Sequence, residues 1–140
     1  MIATARPIAH GQAMTNYATK DFRADIVKVN LLTEDLPPIG MWDEMVLHMN
    51  RFRQKFARKP IDKTSIRIEV SPSMNESNGW TLEDWRHFTE EFLDELDQVT
   101  KTPDDKHKNL VPTNIKNSQY FAALHYDAKS GIPHLHLVVN

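Results

Sequence analysis

Residues 125–140, HYDAKSGIPHLHLVVN, constrain the fold more than any other stretch of this chain. From His134 to Val139 the run is apolar, ends on β-branched residues and alternates histidine with leucine, which is the pattern of a strand. Successive strand side chains point to opposite faces, so His134, His136 and Val138 share one face and Leu135, Leu137 and Val139 the other. Tyr120 to Tyr126 is equally strand-like, with Phe121, Ala123, His125 and Asp127 on one face. A short polar turn around Ser130–Gly131 joins the two runs, which makes them antiparallel neighbours. In the right register, that hairpin brings His125, His134 and His136 to one point.

The rest of the chain reads as alternating elements. Residues 2–9, IATARPIA, form a first strand, with Pro7 marking a sheet edge or a strand end. A short helix at about 11–20 carries Ala13, Met14, Tyr17 and Ala18 on one stripe. Ala24–Leu32 alternates Ile26, Lys28 and Asn30 against Val27, Val29 and Leu31, the pattern of a half-exposed strand. LPPIG then breaks the chain. Trp42, Met45, Val46, Met49, Phe52 and Phe56 recur at helical spacing, so about 41–58 is an amphipathic helix that Lys59–Pro60 ends. Thr64–Ser71 alternates Ile66, Ile68 and Val70 against Arg67 and Glu69 as a strand with one buried face. SPSMNESNG reads as a loop. Thr81 with Asp84 forms a capping box for a helix whose apolar side is Leu82, Trp85, Phe88, Phe92, Leu93, Leu96 and Val99. Residues 101–118 are polar, with KTPDDKHKN as the most mobile stretch. Five strands with helices between them make an α+β layer protein.

At 140 residues the chain is one domain with room for a substantial core. It contains no cysteine, so disulfides and thiolate metal sites are excluded and any metal must use His, Asp or Glu. The lack of cysteine fits a cytoplasmic location. There is no membrane-spanning apolar run, and MIATARPIAHGQ lacks the apolar block of a signal peptide. A net charge of −2 does not by itself announce a nucleic-acid binder. The charge is nevertheless uneven. Arg51, Arg53, Lys55, Arg58, Lys59, Lys63 and Arg67 fall within seventeen residues, and Glu83, Asp84, Glu90, Glu91, Asp94, Glu95 and Asp97 within fifteen. The basic stretch is a candidate phosphate-facing surface and the acidic one a solvent-facing helix, though both also fit ordinary solvated helix faces.

Convergent neutral imidazoles suit Mn, Zn, Ni, Fe or Cu, and three ligands leave coordination positions open, as in a catalytic centre. The competing reading is a set of half-buried histidines satisfied by hydrogen bonds. Asp127 stands two residues after His125, where it could hold a ligand ring or accept a proton, or simply serve the turn. His10, His48, His87 and His107 do not join the cluster by spacing. His48 and His87 fall on helices as surface residues, and His10 lies near the end of the first strand.

These residues resemble those of a relaxase, the mobilisation nuclease of conjugative and mobilisable elements, over nearly the whole chain. HYDAKSGIPHLHLVVN is similar to the family's His-x-Asp … Pro-His-x-His-hydrophobic-Asn motif and is the specific part of the likeness. PIAHGQAMTNYATK is similar to the segment that presents a nucleophilic tyrosine, and SIRIEVSPS with GWTLEDWRHFTEEFLDEL to the central strand and helix. The resemblance implies a His-hydrophobic-His endonuclease fold, an antiparallel sheet of about five strands with helices packed on it. It implies His125, His134 and His136 as ligands of a divalent metal, Mg²⁺ or Mn²⁺, with Zn²⁺ or Ni²⁺ able to substitute in vitro. Tyr17 would be the nucleophile and Asp127 its assistant, with His10 as an alternative nucleophile because some relatives use histidine. The implied activity is nicking of single-stranded DNA at a transfer origin through a 5′-phosphotyrosine link. Accessory mobilisation proteins would be partners, and Arg51, Arg53, Lys55, Arg58 and Lys59 would contact phosphates. Relatives continue past this motif, so residues 1–140 are expected to be a nuclease domain truncated at its C-terminus. A rolling-circle replication initiator of the same superfamily, a metal hydrolase and a non-catalytic DNA-binding module remain as alternatives.

Overall fold

The last strand in sequence is the middle strand of the sheet. The computed structural model describes residues 1–8, 12–19, 24–33, 37–56, 63, 65–98 and 113–140. Five strands, β1 (Ile2–Ile8), β2 (Asp25–Asn30), β3 (Ser65–Ser71), β4 (Tyr120–His125) and β5 (His134–Val139), form one sheet in the order β1-β3-β5-β4-β2. Every neighbouring pair is antiparallel. The other elements among the described residues are four helices, α1 (Gln12–Thr19), α2 (Pro38–Phe56), α3 (Met74–Ser77) and α4 (Leu82–Gln98), and a 3-10 turn at Ile115–Asn117. The architecture is α+β, with an open antiparallel sheet between helices.

Burial of β5 on both faces explains its largely apolar sequence. On one face Leu135, Leu137 and Val139 pack with Tyr120, Ala122 and Leu124 of β4, Ile68 and Val70 of β3, and Trp85 and Leu93 of α4. On the other, Val138 and Phe121 pack with Ala18 of α1 and with Met41 and Met45 of α2. Fully buried leucines such as Leu93, Leu135 and Leu137 each contribute roughly 1.5–3 kcal/mol by leaving water. The chain thus builds two cores, and the histidine face of the hairpin belongs to the α1/α2 side.

The structure corrects several local expectations. α2 begins at Pro38, inside the LPPIG stretch read as a break. Proline is tolerated in a first helical turn because its missing N–H has no intrahelical partner there. The stretch read as the loop SPSMNESNG contains α3, closed by a second capping box between Ser73 and Glu76. The strict alternation read over Ala24–Leu32 fails at a bulge between Ile26 and Lys28. Ile26, Val29 and Leu31 therefore join the α2-side core, while Val27 joins the α4-side core. Arg86 of α4 donates through Nε to the Val27 carbonyl, 3.1 Å away, and so satisfies the backbone where the ladder is disturbed.

The Thr81–Asp84 box is present, with the Thr81 amide donating to Asp84 at 2.7 Å and the Asp84 amide to the Thr81 hydroxyl at 3.3 Å. The 3-10 turn falls within the stretch read as a polar loop, of which KTPDDKHKN lies outside the described residues. Among the described residues no helix is long and apolar enough to cross a membrane.

Candidate metal centre

Strand register assembles the three histidines. His125 at the end of β4 pairs directly with His134 at the start of β5, and Ala123 pairs with His136. Opposed side chains share a face, so all three imidazoles project toward α1. Ala123, buried opposite His136, contributes only a methyl group to this face. The ring centroids lie 5.3 Å apart for His125–His134, 4.1 Å for His125–His136 and 5.0 Å for His134–His136. One ring nitrogen from each residue falls within 4.8 Å of the others. Nitrogens around a tetrahedral ion at ~2.1 Å stand roughly 3.4 Å apart, so closing on an ion takes side-chain shifts of about an ångström. The three nearby histidines could hold a metal ion.

Hydrogen bonds select the ring nitrogen that His125 and His134 offer, while beside His136 stands the carboxylate of Glu69. A carbonyl only accepts, so His125 Nε2 donates to the Ala18 carbonyl at 2.5 Å, which leaves Nδ1 with the lone pair in the neutral ring. His134 Nδ1 donates to the Ile132 carbonyl at 3.3 Å, leaving Nε2 as its ligand atom. His136 Nδ1 faces Glu69 Oε1 at 3.6 Å, and Arg67 Nε holds the same carboxylate oxygen at 3.1 Å. Ligand imidazoles backed by a carbonyl or carboxylate in this way are oriented and made more basic. His125 and His136 are 2% and 1% exposed, whereas His134 is half-buried, so the cluster opens to solvent on one side.

Asp127 Oδ1 lies 3.9 Å from His125 Nδ1, the ring nitrogen that does not face the Ala18 carbonyl. Its side chain is 60% exposed, and its negative charge at that position favours a cation between them. Tyr17 arrives from α1. Its ring meets His136 edge-on at 5.4 Å and His125 at 5.8 Å between centroids, and it is 49% exposed. Ala18 is buried in the α2-side core, while Tyr17, one residue earlier, meets the histidines; the side chains of Ala13 and Met14 lie outside the described residues.

The described basic residues fall on different elements. Arg51 and Lys55 are exposed on α2, with the Lys55 ammonium 5.5 Å from the Phe56 ring centroid. Arg51 lines a cleft with Gln119, next to the β4 end opposite His125. At ~3.3 Å per strand residue, His125 and His134 lie roughly 20 Å from Gln119 and His136, level with Ala123, roughly 13 Å from it. Arg67 is engaged with Glu69 beneath His136. Arg53's side chain, Arg58, Lys59 and His10 lie outside the described residues, as do the side chains of Trp42 and Phe52. Lys63, His48 and His87 are exposed.

Sequence reasoning missed Glu69. Its signal was present in the alternation of Thr64–Ser71, which puts Glu69 opposite the apolar face. That β3 lies beside β5, with Glu69 paired to His136, is decided by topology. The chain matches no protein-family model and no curated protein.

Proposed function

We propose that this chain is a metal-dependent nuclease domain of the relaxase type, nicking single-stranded DNA at a transfer origin by covalent strand transfer to Tyr17. The observation that carries the reading is the meeting of Tyr17 with His125 and His136. A half-exposed phenol beside three convergent imidazoles is poorly explained by packing alone. The five-stranded antiparallel sheet agrees with the fold that the resemblance implies.

His125, His134 and His136 would hold the divalent ion, which supplies positive charge against the scissile phosphate. An all-imidazole donor set ranks Mn²⁺, Ni²⁺ and Zn²⁺ above Mg²⁺, a harder ion that prefers oxygen ligands. Glu69 and the Ile132 and Ala18 carbonyls keep the imidazoles turned to one point. Tyr17 gives up its phenolic proton to solvent, and its oxygen bonds to phosphorus. The bond from phosphorus to the 3′ oxygen breaks, and that oxygen takes up a proton and leaves as a 3′-hydroxyl. The phosphodiester is exchanged for a phosphotyrosine ester, so the same groups can reseal the strand in reverse. Arg51 and Lys55 suit phosphates some nucleotides from the scissile bond. The DNA and the accessory mobilisation proteins are partners of this reading.

The deciding experiment incubates the chain with Mn²⁺ and a 3′-end-labelled single-stranded transfer-origin oligonucleotide, then looks for a denaturation-resistant protein–DNA adduct. The expected outcome is an adduct with the native protein and none with Tyr17→Phe, whose stoichiometric metal binding is retained. An undiminished adduct in Tyr17→Phe removes the assignment.

A further inference from the structure

The sheet face opposite the histidines carries a groove that the nuclease reading does not use. β1 pairs with β3 in the register Ala3↔Val70 and Ala5↔Ile68, so Ala3 and Ala5 lie on the α4 side. Both are exposed, because α4 covers the other half of that face. Two adjoining clefts of about 510 and 560 Å³ run along α4 and share Met1, Phe88 and Glu91. Aromatic rings line them. Trp80 and Phe88 stand 5.1 Å apart between centroids, and Phe88 stacks on Phe92 at 6.4 Å.

The carboxylates of α4 sort into two groups. Glu83 pairs with Arg86, Glu90 with Lys28 and Asp94 with Lys116, while Asp84 caps the helix and Asp97 holds the 3-10 turn. Glu91 and Glu95 remain, exposed on the groove wall, and neither pairs with a cation among the described residues. Like charges four residues apart destabilise a helix. Glu95 also stands near the negative end of the helix dipole, where the last turn of α4 has no basic residue. Among the described residues, these two charges stand locally uncompensated beside an aromatic floor.

We propose that this groove docks a basic amphipathic helix of a partner protein. Its apolar stripe lies on Trp80, Phe88 and Phe92, and its Lys or Arg residues meet Glu91 and Glu95. From Asp84 to Gln98 the groove wall is about 21 Å long, enough for some four helical turns. The charge repels nucleic acid and anionic membranes, which leaves a cationic protein segment as the complementary occupant.

The test uses the full chain and a fluorescent synthetic peptide of about 18 residues, with Leu at helical spacing and Lys elsewhere, followed by anisotropy at ~100 mM salt. A peptide of the same composition with alternating Leu and Lys, and a helical one with Glu for Lys, are the comparators. The expected result is saturable binding of the first peptide, at least about tenfold weaker binding of both comparators, and a similar loss in the double variant Glu91→Lys/Glu95→Lys. Amide shifts on peptide addition should fall on α4 and β1. Equal binding of the alternating peptide, unchanged binding by the double variant, or shifts confined to the histidine face overturns the proposal. So does a wild-type dimer that this variant dissociates, since the occupant is then a second copy. Thermal melting verifies the variant's fold, and Glu91→Gln/Glu95→Gln replaces it in the same measurements if it melts early.

Discussion

At the residue scale, the chain's three tyrosines show how placement separates chemistry from packing. Tyr120 is buried in the α4-side core, and its hydroxyl is pushed up to about 12, chiefly by burial and then by Glu90, Asp94 and Asp97. Tyr126 points away from the histidines and donates to Asp25 at 3.1 Å; burial and that bond raise it. Tyr17 alone meets the triad. Glu69 matters in a different way, by orienting His136 and favouring positive charge beside it. Calorimetry with Mn²⁺ should find stoichiometric binding abolished in His136→Ala and weakened roughly 10–100-fold in Glu69→Gln, the usual cost of losing a carboxylate behind a ligand histidine. Native affinity in Glu69→Gln would show that the carboxylate does not act on the metal.

At the element scale, short polar signals place the pieces that long apolar patterns build. Asp97, at the end of α4, accepts from the Thr113 hydroxyl at 2.6 Å and from the Ile115 and Lys116 amides at 2.8 Å each. Burial alone would raise its carboxyl, but these bonds outweigh it and hold the group below its ordinary value. Through them the 3-10 turn seats Ile115 in the core just before β4 begins. Asp97→Ala should therefore lower stability by about 2 kcal/mol, the scale for losing hydrogen bonds to a charged group, seen as a lower urea midpoint with unchanged slope. An unchanged midpoint would mean that packing alone seats the turn. The bulge in β2 acts similarly, since it sends Val27 to one core and Val29 to the other.

At the scale of the whole molecule, one sheet separates two chemistries. The α1/α2 side carries the histidines and Tyr17, and the α4 side carries Glu91 and Glu95, which pair with no cation among the described residues. Several carboxylates also tie stability to pH. Glu76 is lowered by the Ser73 hydroxyl, Asp84 by the Thr81 hydroxyl and Glu90 by its hydrogen bond from Lys28, alongside Asp97. A carboxyl depressed in the folded state contributes stability above its unfolded pKa and loses it as pH falls through the folded one. With ordinary values of 4.5 for Glu and 3.8 for Asp, the urea midpoint should hold near neutrality, begin to fall near the higher value and keep falling below the lower. A midpoint that rises on acidification would contradict this linkage.

The sequence by itself determined which stretches are strands, the amphipathic pattern of the long helices, the Thr81–Asp84 cap and the shared face of His134 and His136. Each depends on side-chain periodicity within a few residues, which the chain order expresses directly. The α2 start at Pro38 and the Ser73–Glu76 box were legible by the same rules but were masked by proline and a polar run that resembled loop. Tertiary structure alone decided the strand order that sets Glu69 beside His136 and the register that faces His125 with His134. It also decided the seating of α1, which lets the Ala18 carbonyl accept from a histidine 107 residues later and turns Tyr17 onto the triad. These are long-range pairings. They depend on how two cores close around one sheet, and no local pattern carries that information.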